Sequence, residues 1–230
     1  MKVVKIFLRQ LMALVWKEVV VEVRSRESVL AGAVFALLVL VVFNLAFDLR
    51  VENAAAVAPG VLWVTVSFAG VLSLGRAFTR ERDRATLDGL LLAPMDRSAL
   101  YLAKVIGNVA SMMVVELIAL PAFIALFAVA VDVPQLLVVL VLGTVGFAGV
   151  GTLFAAVAAQ TRAREVLLPV LLFPVQVPVV LATVKSTGAT IHLANTDPSD
   201  PANWLGLLVA FDALFLGLSL LLFDFAVDEG

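Results

Sequence analysis

The chain has 230 residues, of which 63% are hydrophobic and 15% charged, with a mean hydropathy of +1.10. Soluble domains are about half apolar and about a quarter charged, so this composition is that of a membrane protein. A net charge of −2 favours no partner, and the absence of cysteine excludes disulfides, thiolate metal sites and cysteine nucleophiles.

The chain begins with a segment that is amphipathic and too charged to span a membrane. Residues 2–23 carry a stripe at steps of three and four, with cations at Lys2, Lys5, Arg9 and Lys17 and an alanine at Ala13, beside a wide apolar face. This pattern is typical of a helix that lies in the membrane interface, where Trp16 suits the headgroup depth. Burial of the helix against the membrane spans is the alternative. Residues 2–26 are assigned to this N-terminal segment.

Six apolar segments follow, and each approaches the roughly 20 residues that a helix needs to cross the hydrocarbon core. They are Val29–Phe47, Pro59–Gly75, Leu100–Val131, Leu136–Ala159, Val166–Val184 and Ala202–Phe223. The third is long enough to tilt or break. Pro59, Pro134 and Pro201 are predicted in first helical turns, with Asp96 and Asp200 as N-caps. The predicted fold is an all-α polytopic membrane protein, residues 1–230 forming a single domain.

The distribution of basic residues predicts the orientation of these spans. Fourteen of the sixteen lie before span one, between spans two and three, or between spans four and five, whereas only Arg50 and Lys185 lie on the opposite side. Cytoplasmic loops carry the positive excess, so both termini are predicted to be cytoplasmic. Residues 76–99 then form the largest cytoplasmic loop, and residues 185–201 form an extracytoplasmic loop.

Four polar residues lie within the predicted spans: Asn108, Glu116, Gln176 and Asp212. An ionised carboxylate at the bilayer centre costs at least about 2.5 kcal/mol, so these side chains are expected to face the bundle interior. They either line a substrate path or proton relay, or they form hydrogen bonds between helices worth roughly 1 kcal/mol or less each. The sequence leaves both alternatives open.

Two spans have unusual composition. Prolines interrupt span five and favour an irregular segment, at Pro169, Pro174 and Pro178. Small residues recur every four positions in span four and predict close helix packing, at Thr144, Ala148, Thr152 and Ala156.

Motifs that would indicate an enzyme are absent from the sequence. It contains no GxxxxGK[ST] phosphate loop, no HExxH and no GxSxG, and the basic loop lacks the aromatic residues typical of nucleic-acid binding. We therefore expect neither catalysis, metal binding nor nucleic-acid binding by this chain. The single histidine, His192, lies in the extracytoplasmic loop and is expected to be solvated, with a haem contact as the alternative.

An apolar cluster rimmed by charge lies in the 76–99 loop. It consists of Leu87, Leu90 and Leu91 on one face of a short helix, with Arg82, Arg84 and Asp88 around it. An exposed apolar patch with a charged rim marks a docking site. Because the chain has no nucleotide site of its own, the patch fits a permease driven by a separate ATPase.

Three stretches carry a resemblance to a known family: TLDGLLLAPMDRSALYLAK at 86–104, APGVLWV at 58–64 and LLPVLLFPVQVPVV at 167–180. Together with the six-span layout, they resemble the CcmB family, the permease subunit of the cytochrome c maturation haem exporter. The resemblance covers essentially the whole chain, and its most specific part is the loop motif. Asp88 stands where glutamate is expected, which keeps the charge.

This resemblance implies an ABC-2-type transmembrane domain in the bacterial inner membrane, present as a homodimer. It implies a coupling helix between spans two and three that binds a cytoplasmic CcmA-like ATPase, which holds the ATP, and an N-terminal elbow helix. Further implied partners are a CcmC-like haem-handling membrane protein, a small CcmD-like subunit and a CcmE-like haem chaperone. Haem is the candidate substrate, and no cofactor is assigned to this chain.

The resemblance leaves open whether this subunit itself moves haem. The alternatives are an ABC-2 exporter of a lipid or polysaccharide, a proton-driven transporter working through Glu116 and Asp212, and a scaffold that links the ATPase to its haem-handling partners without transport.

Overall fold

The computed structural model describes residues 2–25, 27–48, 54–77, 96–161, 163–191 and 200–228. Within these ranges all regular secondary structure is helical, in seven helices: α1 Lys2–Ser25, α2 Glu27–Asp48, α3 Ala54–Ala77, α4 Arg97–Phe127, α5 Val133–Ala159, α6 Arg164–Thr190 and α7 Asp200–Asp228. Helices α2 to α7 are long and apolar enough to cross a membrane. The predicted all-α polytopic fold is confirmed.

The helix starts follow the predicted capping signals in part. Asp96 caps α4, since its side chain accepts a hydrogen bond of 2.9 Å from the Ser98 amide. Asp132 caps α5 in the same way, which the sequence analysis did not anticipate, and Pro134 lies in the first turn as predicted. The prediction for Pro59 was wrong, because α3 begins five residues earlier, at Ala54.

Two helix ends differ from their predicted positions. Helix α4 is continuous but stops at Phe127, where Ala128 adopts a left-handed conformation with φ of 48°, so the predicted extension to Val131 is wrong. Helix α6 continues to Thr190, so the first residues of the predicted 185–201 loop are helical. It also remains one α-helix through its three prolines, so the predicted irregular segment is wrong.

Helix α5 is the centre of the bundle. It packs against α3, α4, α6 and α7, while α2 packs against α3 and α4. Close approach requires small residues on α5, as the four-residue repeat in this span predicted. At Gly143, an added Cβ would lie 2.6 Å from Thr183 Cγ2 and would overlap the Trp63 ring. The absence of a side chain there lets α3 and α6 reach α5 at the same point.

Adding one methyl group at this point is expected to destabilise the bundle. Gly143→Ala should lower the free energy of unfolding by about 1–3 kcal/mol, because the Trp63 ring and Thr183 must move apart. Gly217→Ala in α7 is the matched control, since nothing lies within 4 Å of its added Cβ. There the better helix former should leave stability unchanged or raise it by up to about 1 kcal/mol. The free energy of unfolding of both variants is measured by titration with a denaturing detergent, followed by circular dichroism. Equal effects of the two substitutions would contradict this packing.

Helix α1 has one packed face and one exposed apolar stripe. Leu14 is buried, and Phe7 and Leu11 pack beside it, where α1 meets α4. Met12 and Trp16, on another face, are 69% and 70% exposed. Packing against a span, the alternative in the sequence analysis, is therefore present on one side of the helix. The exposed stripe fits the predicted location in the membrane interface, which stays a prediction.

Candidate functional site

The four intramembrane polar residues that the sequence singled out all meet the central helix α5. They come from three different helices, Asn108 and Glu116 from α4, Gln176 from α6 and Asp212 from α7, and all four are buried. Their partners lie on α5 between Thr144 and Thr152. The structure thus brings the predicted set onto one segment of α5, from different sides of this helix.

The two α4 residues pair with two threonines of α5 in a regular pattern. Thr144 Oγ1 donates to Glu116 Oε1 at 2.5 Å, and Asn108 Nδ2 donates to Thr152 Oγ1 at 2.9 Å. Eight residues separate the two pairs along each helix, as expected for two antiparallel helices in a constant register. Both threonines belong to the small-residue repeat, so this repeat supplies hydrogen-bond partners as well as close packing.

The other two residues meet α5 at Gly146. Gln176 Nε2 donates to the carbonyl oxygens of Gly146 at 3.3 Å and Phe147 at 3.2 Å. The Asp212 carboxyl lies directly against Gly146, where any side chain larger than hydrogen would overlap it. Both carboxyl oxygens of Asp212, Oε1 of Gln176 and Oε2 of Glu116 are buried without a hydrogen-bond partner in the described structure.

These unpartnered acceptors define a polar level in the described part of the bundle, and beside Glu116 this level holds only a small space. The space beside Glu116, lined also by Ser73 and Met112, measures about 10 Å³. This is close to the smallest volume that holds one water, about 10–15 Å³, and far below the roughly 300–1,000 Å³ of a ligand pocket. Among the described residues, no cluster of three acidic or histidine side chains could hold a metal. The arrangement is suited to hydrogen bonding between helices.

A buried ion pair that the sequence analysis did not identify joins α1 to α4. Lys104 Nζ lies 3.0 Å from Glu18 Oε1, and the Lys104 side chain is only 2% exposed. Lys104 was predicted to act with the other loop cations in setting the orientation of the spans. The one feature of the sequence that indicates a buried partner for Lys104 is its position inside the apolar segment that starts at Leu100.

Two further interhelical hydrogen bonds were also missed. Trp63 Nε1 on α3 donates to Thr187 Oγ1 on α6 at 2.8 Å, and the Tyr101 hydroxyl on α4 donates to the Gly149 carbonyl of α5 at 3.1 Å. Both aromatic side chains are at most 1% exposed. A buried Trp or Tyr needs a partner for its polar atom, which was the available signal for these contacts.

A family model described as CcmB protein matches residues 9–229. The chain belongs to the CcmB family. Three similar proteins are each named heme exporter protein B. That of Rhodobacter capsulatus is 29% identical over 174 residues, 74% of this chain and 78% of that protein. That of Pseudomonas aeruginosa is 27% identical over 198 residues, which cover 86% of this chain and 85% of that protein. That of Haemophilus influenzae is 26% identical over 166 residues, which cover 72% of this chain and 75% of that protein.

As a CcmB protein, the chain has its predicted functional residues in two groups. The polar residues of the spans lie in the described bundle. The predicted ATPase-docking residues and the candidate haem contact lie outside the described residues: Arg82, Arg84, Leu87, Asp88, Leu90, Leu91 and His192. Their roles stay predictions, as does the functional role of the polar set.

Proposed function

We propose that this chain is the membrane permease subunit of a haem-export ABC transporter that acts in cytochrome c maturation. The observation that carries this proposal is the CcmB family match over residues 9–229. It is supported by six helices, within the described part of the chain, that are long and apolar enough to cross a membrane. The similar proteins are named heme exporter protein B, not lipid or polysaccharide exporters. A separate CcmA-like subunit binds and hydrolyses ATP, since this sequence lacks a phosphate loop.

The proposed assembly is a homodimer of this chain with two ATPase subunits beneath it, in the inner membrane. A CcmC-like haem-handling membrane protein, a small CcmD-like subunit and a CcmE-like haem chaperone complete the proposed assembly. Residues 76–99 contact the ATPase, and ATP hydrolysis drives haem export or the release of a haem-loaded chaperone. We propose that His192 binds no haem.

The helix that leaves the coupling loop is positioned to transmit motion. Helix α4 begins at the end of this loop, and its first turns are held by two other helices. The Asp96 amide donates to Gln10 Oε1 of α1 at 3.4 Å, and Arg97 Nη1 donates to the Asp224 carbonyl of α7 at 3.5 Å. Further along, Asn108 and Glu116 bind the central helix. These contacts support the proposal that a displacement of the loop is passed on through α4 to its neighbouring helices.

The proposed function is tested by complementation in a bacterium that lacks its own CcmB. Expression of this chain with its ATPase should restore holo-cytochrome c, and an ATPase that binds but does not hydrolyse ATP should abolish the rescue. Failure of the active pair to restore cytochrome c, with the chain present in the membrane, would contradict the proposal. Haem uptake into proteoliposomes containing the complex distinguishes a transporter from a scaffold, because only a transporter moves haem.

Orientation is tested by single cysteines, since the native chain has none. A cysteine at Ser199 should react with a membrane-impermeant maleimide added to whole cells, whereas one at Ser98 should react only after the cells are opened. The physical reason is the strong excess of basic residues on the side of Ser98. The reverse labelling pattern would overturn the proposed cytoplasmic location of both termini.

The proposed structural role of the polar set predicts mild effects from amide substitutions. Glu116→Gln and Asp212→Asn should leave the cytochrome c yield nearly normal, because an amide also donates and accepts hydrogen bonds. Glu116→Leu should lower stability by roughly 1 kcal/mol or less, the value of one interhelical bond. Thr144→Val removes the other half of this bond, so the double variant should cost little more than either single one. Loss of yield in an amide variant that accumulates normally would instead indicate that the charge itself is needed.

A further inference from the structure

The small space beside Glu116 lies between the interior turns of α3 and α4. Helix α3 carries no side chain at Gly70, where an added Cβ would lie 2.6 Å from Met112 Cε of α4. Gly70 and Met112 both border the space, whose volume is about 10 Å³. The space therefore lies in the interior of the bundle, with a glycine on one helix and the end of a methionine side chain on the other.

Two of the described residues that line this space are polar, one from each helix. Glu116 of α4 is 3% exposed; its Oε1 accepts a hydrogen bond from Thr144, and its Oε2 has no hydrogen-bond partner in the described structure. Ser73 of α3 is also buried, and its hydroxyl lies 3.3 Å from the hydroxyl of Ser111. One bond between two hydroxyl groups uses only one of their two hydrogens, so this pair can donate to a further acceptor.

The volume of the space and its few polar groups favour a water molecule as the occupant. One water needs about 10–15 Å³ and two to four polar partners, whereas Ca²⁺ and Mg²⁺ take about six or more oxygen ligands. Cavities that stay empty in proteins are apolar, and this one borders a carboxyl oxygen that lacks a partner. A buried acceptor without a partner is costly, and a bound water removes this cost.

We propose that a single water molecule is bound in this space and joins α3 to α4. It accepts a hydrogen bond from the Ser73 hydroxyl and donates one to Glu116 Oε2. Because Glu116 Oε1 binds Thr144, the water extends this contact to a third helix, so that α3, α4 and α5 meet in one polar network. Helices α3 and α4 lie on either side of the 76–99 loop in the chain, and the water holds them together in the interior of the bundle.

The test is X-ray footprinting of the purified full chain in detergent, because X-rays split water into hydroxyl radicals that oxidise side chains beside it. Met112 is only 3% exposed, yet it borders the proposed water and should be oxidised. A radical scavenger in the buffer should not protect Met112, since the radical forms next to it. Met12, which is 69% exposed, is the internal reference, and the scavenger should protect it.

Substitutions at the two polar residues assign the water to its partners. Ser73→Val removes the hydroxyl and adds methyl groups to the space, and Glu116→Leu removes the acceptor, so each should abolish the scavenger-resistant oxidation of Met112. Glu116→Gln retains a carbonyl oxygen and should keep it. Ser67→Val is the matched control, because Ser67 is a buried serine of α3 that does not border the space among the described residues, and oxidation should be unchanged.

The native chain alone can overturn the proposal, whether or not each variant folds. Absence of Met112 oxidation would show that the space is dry, and protection of Met112 by the scavenger would show that radicals reach it from the buffer. Scavenger-resistant oxidation that persists in both Ser73→Val and Glu116→Leu would place the water elsewhere. Loss in these two variants, with retention in Glu116→Gln and Ser67→Val, would assign the water to Ser73 and Glu116.

Discussion

Replacing Glu18 by glutamine is expected to loosen α1 from α4 and to lower the free energy of unfolding by about 1.5–3 kcal/mol, the value of a hydrogen bond to a charged group. The substitution removes the carboxylate that lies 3.0 Å from Lys104 Nζ, while the ammonium group stays in place with its side chain only 2% exposed. Gly107 of α4 lies against the Glu18 side chain, so no water-filled space separates the two helices at this point.

The opposite substitution should have a smaller effect. Lys104→Met removes the cation but leaves Glu18, which is 16% exposed and lies 3.4 Å from Lys17 Nζ. Because Glu18 keeps a neighbouring cation and some contact with solvent, its charge is less costly than that of Lys104. Lys17→Gln is the control. Lys17 is 35% exposed, so its pair with Glu18 should contribute about 0–1 kcal/mol.

Detachment of α1 can be measured directly by cysteine reactivity. Leu14→Cys lies in the packed face, where the native side chain is 7% exposed, and it should be protected from maleimide. Adding Glu18→Gln should make it react. Met12→Cys lies on the face that is 69% exposed and should react equally in both backgrounds. Protection of Leu14→Cys that survives Glu18→Gln would show that apolar packing alone holds α1 in place.

The spans could be predicted because crossing a membrane is a local requirement. About 20 consecutive apolar residues suffice, and the sequence contains six such segments whatever their neighbours are. Helix ends were less well predicted, because Pro59 reads as a helix start, yet four alanines and a valine ahead of it continue the helix back to Ala54. Likewise, α4 stops at Phe127 although the apolar run continues, since Asp132 and Pro134 start a new helix.

The polar contacts could be predicted only as a set of residues. Glu116, Gln176 and Asp212 each lie near the middle of their predicted span, which predicts a similar depth in the membrane for all three. In the structure all three meet α5 between Thr144 and Phe147. Which atom binds which depends on the rotation and register of two helices, and no local pattern encodes either. The Glu18–Lys104 pair joins residues 86 positions apart for the same reason. Its partners become apparent only when α1 is placed on α4.

Replacing Leu90 by aspartate is expected to separate this chain from its ATPase. Leu90 belongs to the apolar cluster of the 76–99 loop, outside the described residues, and its proposed role is to fill a groove on the partner. An aspartate there would bury an unpaired charge at the contact, which costs several kcal/mol. Since each 1.4 kcal/mol is a factor of ten in affinity, binding should fall roughly a hundredfold or more.

The decisive measurement is recovery of the ATPase with the purified permease. Leu92→Asp is the matched control, because it introduces the same charge in the same loop but off the face formed by Leu87, Leu90 and Leu91. It should retain the partner. Insertion is verified by maleimide labelling of a cysteine at Ser199, which should be the same in both variants. Full recovery of the ATPase with Leu90→Asp would remove the docking role from this cluster. Loss of the ATPase with Leu90→Asp and not with Leu92→Asp would assign the contact to one face of the loop, because charge and position in the chain are nearly identical in the two variants.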